Sequence, residues 1–236
     1  MKALILAAGR GERLKPITNK IPKCLVKIKG VPLLEIILKK IEKTKIKEIF
    51  INTHYLEDKV LDFFSKYKGK IKVTFIKEKK LKGTGGTLVD NLSLFNKQDL
   101  LVLHADNYFS ESLNNFLKAH QRRKKNTHMT LISFITDDPK NCGICKIDKE
   151  NIIVNIIEKD KNQISKIANG AIYLFSKKSL SKIKKMNNKI TKDIVLDILP
   201  KFYGQITNYT SKKFFLDIGI KKNYLKALKQ DEKIFY

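Results

Sequence analysis

Two kinds of residue in this chain could do chemistry together: cations on a glycine loop near the start, and two aspartates that each end an apolar run. The first run, Lys2-Ala3-Leu4-Ile5-Leu6-Ala7, leads into Ala8-Gly9-Arg10-Gly11-Glu12-Arg13-Leu14-Lys15-Pro16-Ile17-Thr18, and Lys23 follows in Ile21-Pro22-Lys23-Cys24-Leu25. Gly9 and Gly11 let the backbone turn tightly and leave no Cβ in the way of a ligand. Successive N–H groups in such a turn form a concavity for an anion. Arg10, Arg13, Lys15 and Lys23 add positive charge, so the loop is expected to hold a nucleoside triphosphate. A plain strand-to-helix turn is the alternative reading of Gly-x-Gly by itself. The spacing is not a dinucleotide fingerprint, whose third glycine is Arg13 here, nor does it carry the Gly-Lys-Ser/Thr of a Walker A loop.

The aspartates are Asp106, after Gln98–Ala105, and Asp217, after Phe214-Phe215-Leu216. A carboxylate at the carboxyl end of a buried strand can hold Mg²⁺ beside a triphosphate. By itself, an Asp there is more often a cap or turn former. A second one matters because the pair could share one ion. Glu78-Lys79-Lys80-Leu81-Lys82-Gly83-Thr84-Gly85-Gly86-Thr87-Leu88 is rich enough in glycine for its backbone to lie against a planar base, or to be only a loose turn. His104 reads as a packed strand residue. Cys142-Gly-Ile-Cys145 has no second ligand pair at zinc spacing, and three cysteines make no disulfide framework.

Stepping from the residues to their supports, strand-like and helix-like segments alternate: Ile46–Thr53, Leu56–Tyr67 and Lys70–Lys77, with a Pro32-led helix through Ile41 before them. That order predicts parallel strands joined by right-handed crossovers, an α/β fold with a doubly wound, mostly parallel sheet and helices on both faces. Ligands of such sheets bind outside the carboxyl ends of the strands. Further along, the patterns predict a helix over Ser110–Arg123, a strand over His128–Thr136, and a hairpin of Gly143–Ile147 with Ile152–Ile157. Helices over Ser176–Lys185, Thr191–Phe202 and Lys221–Lys229 complete the reading.

At 236 residues the chain suits one domain. We read 1–236 as that single domain, with a mainly nucleotide-binding part, 1–110, and a second part, 111–236, whose ligand is implied only by the resemblance given below. No apolar run is long enough to span a membrane, and the amino terminus lacks a secretory layout, so a cytoplasmic protein is expected. Net charge is +26, carried by 49 basic residues of which four are arginine. The lysines are scattered along the chain, whereas nucleic-acid surfaces gather Arg beside aromatics. A solvated, anion-attracting surface is expected, with no specific nucleic-acid partner.

Taken as a string, the opening resembles the signature of sugar-1-phosphate nucleotidyltransferases: a strand, Gly-x-Gly-x-Arg-Leu-x-Pro-x-Thr, then Pro-Lys. Closest in pattern are the guanylyltransferases for heptose or mannose 1-phosphate. Glu12 stands where Thr or Ser is usual and Cys24 where Pro is usual. The resemblance continues in Leu81–Gly86 against the family's base-contacting Leu-Gly-Thr-Gly-Gly, in Ala105-Asp106-Asn107, in Glu158-Lys159, in Asn169-Gly170, and in Phe215-x-Asp217-x-Gly219 with Tyr224. It implies a GT-A-like fold with a small sugar-binding β insertion. It also implies transfer of a nucleotidyl group from an NTP, GTP favoured, to a sugar 1-phosphate for nucleotide-sugar and polysaccharide biosynthesis. Arg13 and Lys23 would be catalytic. Leu6, Ala7, Ala8, Gly9, Gly11, Glu78, Gly83, Thr84 and Gly85 would bind nucleotide, and Asp106 and Asp217 would hold Mg²⁺. Glu158, Lys159, Asn169 and Gly170 would meet the sugar phosphate, although Glu158-Lys159 in isolation is a surface ion pair and Asn169-Gly170 a turn signal. UTP- or CTP-dependent transfer to another acceptor, of the N-acetylmuramate 1-phosphate or phosphocholine type, and a non-catalytic ligand-binding relative are the competing readings. A homo-oligomer is left open.

Overall fold

A computed structural model of the chain describes residues 1–95, 97–158, 164–186 and 191–230. In chain order its strands and helices are β1 (Lys2–Leu6), β2 (Lys27–Ile28), β3 (Val31–Pro32), α1 (Leu33–Glu42), β4 (Glu48–Thr53), α2 (Glu57–Ser65), β5 (Lys72–Lys77), α3 (Gly83–Asp90), α4 (Leu92–Phe95), β6 (Leu100–His104), β7 (Asn107–Phe109) and α5 (Leu113–Gln121). Then come β8 (Met129–Ile135), β9 (Gly143–Ile147), β10 (Ile152–Glu158), β11 (Ile167–Phe175), α6 (Lys177–Lys185), β12 (Ile206–Ser211), β13 (Phe215–Asp217) and α7 (Lys221–Leu228).

These elements form two compact units that interleave in sequence. The first comprises Met1–Leu81, Leu103–Leu113 and Phe214–Tyr236, the second Lys82–Val102 and Asn114–Lys213. In the first unit β5, β4 and β1 lie side by side, all parallel, with Ala3 opposite Ile49 and Ile49 opposite Val73. Ala3, Leu4 and Ile5 are fully buried, as a parallel strand covered on both faces requires. Helix α1 buries Leu33, Leu34, Ile37, Leu38 and Ile41 and carries Lys39 and Lys40 in its last turn, where they complement the helix dipole. Strands β7 and β13 pair antiparallel, setting Asp217 opposite Asn107.

Within the second unit the strand order is β11, β8, β12, β10, β9, with mixed pairing senses. β8 and β12 run parallel, whereas β11 is antiparallel to β8 and β10 to β9. The expected hairpin is therefore present as β9 and β10.

Three expectations need correction. The helix predicted from Ser110 starts only at Leu113, because Asn107–Phe109 is taken by β7. The helix predicted over Thr191–Phe202 is instead a π turn, Ile194–Ile198, followed by a 3-10 turn, Leu199–Phe202. Asp193 caps the first by accepting from the N–H groups of Val195 and Leu196, and Pro200 has no N–H with which to continue an α-helical ladder. Asn169-Gly170, a turn signal in sequence, lies inside β11, where the register to β8 shifts between Asn169 and Tyr173 and Ala171 takes a φ of 51°.

Candidate active site

The site is built in the first unit. Where β1 ends, the N–H of Ala7 is taken by the Asn52 side chain at 2.7 Å. The Asn52 amide in turn donates to Glu78 Oε1 at 3.0 Å. Both side chains are buried, at 5% exposure, so a polar bracket from the ends of β4 and β5 fixes the exit of β1. Beyond it, the N–H groups of Ala8, Gly9, Arg10 and Gly11 meet no acceptor among the described residues. Four consecutive donors without a protein partner are what an anion-binding loop presents.

The two glycines have different reasons to be glycine. Gly11 sits at φ 67°, and a Cβ there would come within 2.7 Å of the Thr18 methyl carbon. The Thr18 hydroxyl donates to the Gly11 carbonyl at 2.8 Å, closing the loop. Gly9 would place a Cβ in open space. Gly11→Ala is therefore expected to cost about 1–2 kcal/mol from the left-handed backbone alone, with the Thr18 clash added. Thermal unfolding should show a Tm several degrees lower, and an unchanged Tm would remove the loop-closing role of Thr18.

Beneath the loop, four charged side chains converge. Lys23 Nζ bonds Asp106 Oδ2 and lies 4.0 Å from Asp217 Oδ1, while Arg13 Nη2 is 3.9 Å from Asp217 Oδ2. Backbone pairing brings the aspartates together: Ile218 N–H donates to the Asp106 carbonyl at 3.0 Å, next to the β7–β13 register. Gly219 is the residue that makes room. A Cβ there would come within 2.7 Å of Lys23 Nζ, 2.8 Å of Asp217 Oδ1 and 3.1 Å of Arg13 Nη2, and its N–H donates to Asp217 Oδ1 at 2.6 Å.

The charges set each other's protonation. Burial disfavours charge on Lys23, but Asp106 and Asp217 beside it more than compensate and lift its pKa above the ordinary lysine value. Burial also opposes ionisation of Asp106, and the Lys23 charge overrides it, holding the carboxyl down to about 2. Asp217 moves the other way. Desolvation and then the neighbouring Asp106 charge raise it, although its side chain is about half exposed. Two carboxylates so placed that the charge of one opposes ionisation of the other suit a hard divalent cation. No group of three or more His, Cys, Asp or Glu residues able to hold a metal occurs among the described residues. Two carboxylates fit Mg²⁺, which is commonly bound through one or two of them plus substrate phosphates and water. Glu12 bonds Lys15.

The remaining predicted residues lie in the second unit. Gly83 starts α3 at φ 74°, and its Cβ would meet the Lys192 carbonyl oxygen at 2.2 Å. The Gly85 N–H donates to that same carbonyl at 2.9 Å. Thr84 Oγ1 donates to Asp193 Oδ2 at 3.1 Å and accepts from the Ile194 N–H at 2.9 Å. These glycines thus let residues 191–194 pack closely, and the Gly85 N–H is spent there. Glu158 ends β10 opposite Gly143. Asn169 is held through its own amide, accepting from the Ala171 N–H at 2.9 Å and donating to Tyr173 Oη at 3.1 Å. Lys159 lies outside the described residues. Burial pushes the thiols of Cys24 and Cys145 up to about 12, so both are protonated at neutral pH and poor metal ligands.

Sequence reasoning missed Asn52, Thr18 and Asp193. Asn52 did leave a signal, as the polar residue closing the apolar run Ile49-Phe50-Ile51. Thr18 stood in the opening signature with no role given to it, and Asp193 left no signal, since what each contacts is settled only by folding.

A family profile described as nucleotidyl transferase matches residues 2–234. A Sulfolobus acidocaldarius protein provisionally named mannose-1-phosphate guanyltransferase is 29% identical over 230 residues, 96% of this chain and 62% of its own length. The D-glycero-alpha-D-manno-heptose 1-phosphate guanylyltransferase of Campylobacter jejuni is 27% identical over 95% of this chain and 97% of its own. The crystal structure of HddC from Yersinia pseudotuberculosis complexed with GMP-PN superimposes with a TM-score of 0.80 at 29% identity, over 97% of this chain and 98% of that one. The chain spans only about half the length of other curated relatives, the bifunctional GlmU proteins of Methanocaldococcus jannaschii (42%) and Methanococcus maripaludis (51%) among them.

Proposed function

The chain belongs to the nucleotidyl transferase family, and from that premise we propose that it transfers a nucleotidyl group from an NTP, GTP in preference, to a sugar 1-phosphate. The observation that carries this reading is the convergence of Arg13, Lys23, Asp106 and Asp217 over Gly219, in the same unit as a loop with four N–H groups that meet no acceptor among the described residues. The preference for GTP and for a mannose- or heptose-type acceptor rests on the names of the relatives and on the GMP-PN complex.

A phosphate oxygen of the sugar 1-phosphate attacks the α-phosphorus. The bond from that phosphorus to the bridging oxygen breaks, and pyrophosphate departs with the electron pair. The acceptor oxygen is already nucleophilic, so the protein's task is alignment and charge neutralisation. The loop N–H groups bind the triphosphate, with Leu6, Ala7 and Ala8 as its floor. Arg13 and Lys23 neutralise charge on the transferring and leaving groups. Asp106 and Asp217 would hold Mg²⁺, which when bound draws charge from the α-phosphate and orients the leaving group. Glu78, Gly83, Thr84 and Gly85 are assigned to the nucleoside end. Glu158, Lys159, Asn169 and Gly170 are assigned to the acceptor, within the β9–β10 and β11 region. We place the reaction in the cytoplasm.

The test is pyrophosphate release from four NTPs against a panel of sugar 1-phosphates, with Mg²⁺ or with chelator. GTP with a mannose- or heptose-type acceptor should give the highest kcat/KM, and chelation should abolish turnover. Turnover with none of the pairs would end the reading. Gly9 supplies an internal check. Gly9→Ala meets no protein atom, so Tm should hold while KM for the NTP rises about tenfold, equivalent to about 1.4 kcal/mol. Unchanged KM would mean that the nucleotide does not approach at Gly9.

A further inference from the structure

The second unit contains a cavity of about 420 Å³ that shares no residue with the loop and cation cluster described above. Arg123, Lys124, Lys125, Lys177 and Lys178 line it, and Asp99 is its one acidic residue. Asp99 is already engaged, accepting from the Lys177 N–H at 2.8 Å and lying 3.6 Å from His120 Nε2. Lys124 pairs with Glu150 at 2.8 Å. Arg123 is fixed in place by donating to the carbonyls of His120 and Thr127. The side chains of Lys125, Lys177 and Lys178 form no ion pair among the described residues. Lys177 and Lys178 also stand in the first turn of α6, where cations oppose the helix dipole. The cavity thus gathers five cations against Asp99 in its lining and Glu150 on Lys124, an excess of positive charge that is repulsive within the fold.

We propose that this cavity is a second anion site, which takes a small phosphorylated ligand carrying at least two negative charges. Its volume falls in the range of small-molecule pockets, roughly 300–1,000 Å³. Fixed Arg123 supplies directed donors, and Lys125, Lys177 and Lys178 supply mobile charge for terminal phosphate oxygens.

His128 lines the same cavity and reports on it. Burial, then the charges of Lys178, Lys182 and Arg123, lower its pKa, so an anion held against those cations must raise it. The experiment is imidazole NMR of the full chain titrated with inorganic pyrophosphate in the absence of Mg²⁺. Saturable binding should raise the His128 pKa, and Lys177→Ala/Lys178→Ala should weaken that binding about tenfold or more. The proposal is overturned if His128 does not respond, if NaCl at equal ionic strength reproduces the effect, if the double variant binds as wild type does, or if a duplex oligonucleotide occupies the site more tightly than pyrophosphate. Because the readout is binding at His128, failure here and failure of the proposed transferase reaction are separable.

Discussion

Asp217→Asn will lower kcat by about 10²–10³-fold, the roughly 2.7–4 kcal/mol typical of losing one preorganised electrostatic contact in a reaction centre, and will leave Tm unchanged or slightly higher. The two halves of this expectation have separate physical grounds. Asn keeps the volume and the oxygen that accepts from the Gly219 N–H at 2.6 Å, so the β13 end stays closed. What disappears is a negative charge that the fold holds at a loss. Asp217 has its pKa raised by desolvation and by Asp106, and a carboxyl whose folded pKa exceeds its unfolded value costs stability once pH rises above both. At neutral pH the neutral amide removes that cost. Turnover should also need more Mg²⁺, because one of two proposed ligands is weakened. Steady-state kinetics across Mg²⁺ concentrations, with thermal melts alongside, check both halves. A near wild-type kcat would dismiss Asp217 from the reaction, whereas a Tm loss of several degrees would make it a structural partner of Arg13 and Lys23.

How much of this was legible beforehand depends on the range of the interaction. Apolar runs of buried parallel strands are written locally, so β1 and β4 can be read from residues 2–53, and β5, which is not buried, from its alternation. The cation loop is equally local, with Gly11, Arg13 and Lys23 spaced within one short stretch. Asp106 and Asp217 stand more than a hundred residues apart, and each alone is an ordinary strand-end aspartate. Only the β7–β13 pairing brings them side by side, and β7 is three residues long, too short for any periodicity to register. The same limit hid the partner of the glycine run. Gly83 and Gly85 announce a close approach, but that the approaching backbone is Lys192–Asp193 is a tertiary fact. The helix expected over 191–202 failed for a local reason that could have been weighed, a capping Asp193 and Pro200 inside the span. Gly219 resembles Gly11 in sequence terms, yet its need for glycine comes from side chains recruited from residues 13 and 23.

The Lys23–Asp106 pair yields the other large effect. Lys23→Ala removes the cation and leaves Asp106, only 19% exposed, as a buried uncompensated carboxylate. Breaking one partner of such a pair costs about 3–5 kcal/mol, and for a chain of this length Tm should fall on the order of 10 °C. Activity should fall at least as far as in Asp217→Asn, since charge at the triphosphate is lost together with the position of Asp106. The stability loss should depend on pH in a defined direction. In the native protein Asp106 is held down to about 2, below the ordinary value of about 3.9, so its contribution is present above that ordinary value and is lost only as pH falls through the folded one. Without Lys23, burial raises Asp106, and its penalty at neutral pH is relieved on acidification, so the Tm gap between variant and wild type should narrow from pH 7 toward pH 5. The decisive comparison is Lys23→Ala/Asp106→Asn. Removing both charges leaves nothing ionised and unpaired, a change that is often close to neutral for a buried pair, so Tm should return most of the way while turnover stays abolished. Recovery of activity along with Tm would mean that the pair serves only the fold. Recovery of Tm alone means that the fold can do without the two charges, and that they are kept for what they do to phosphate.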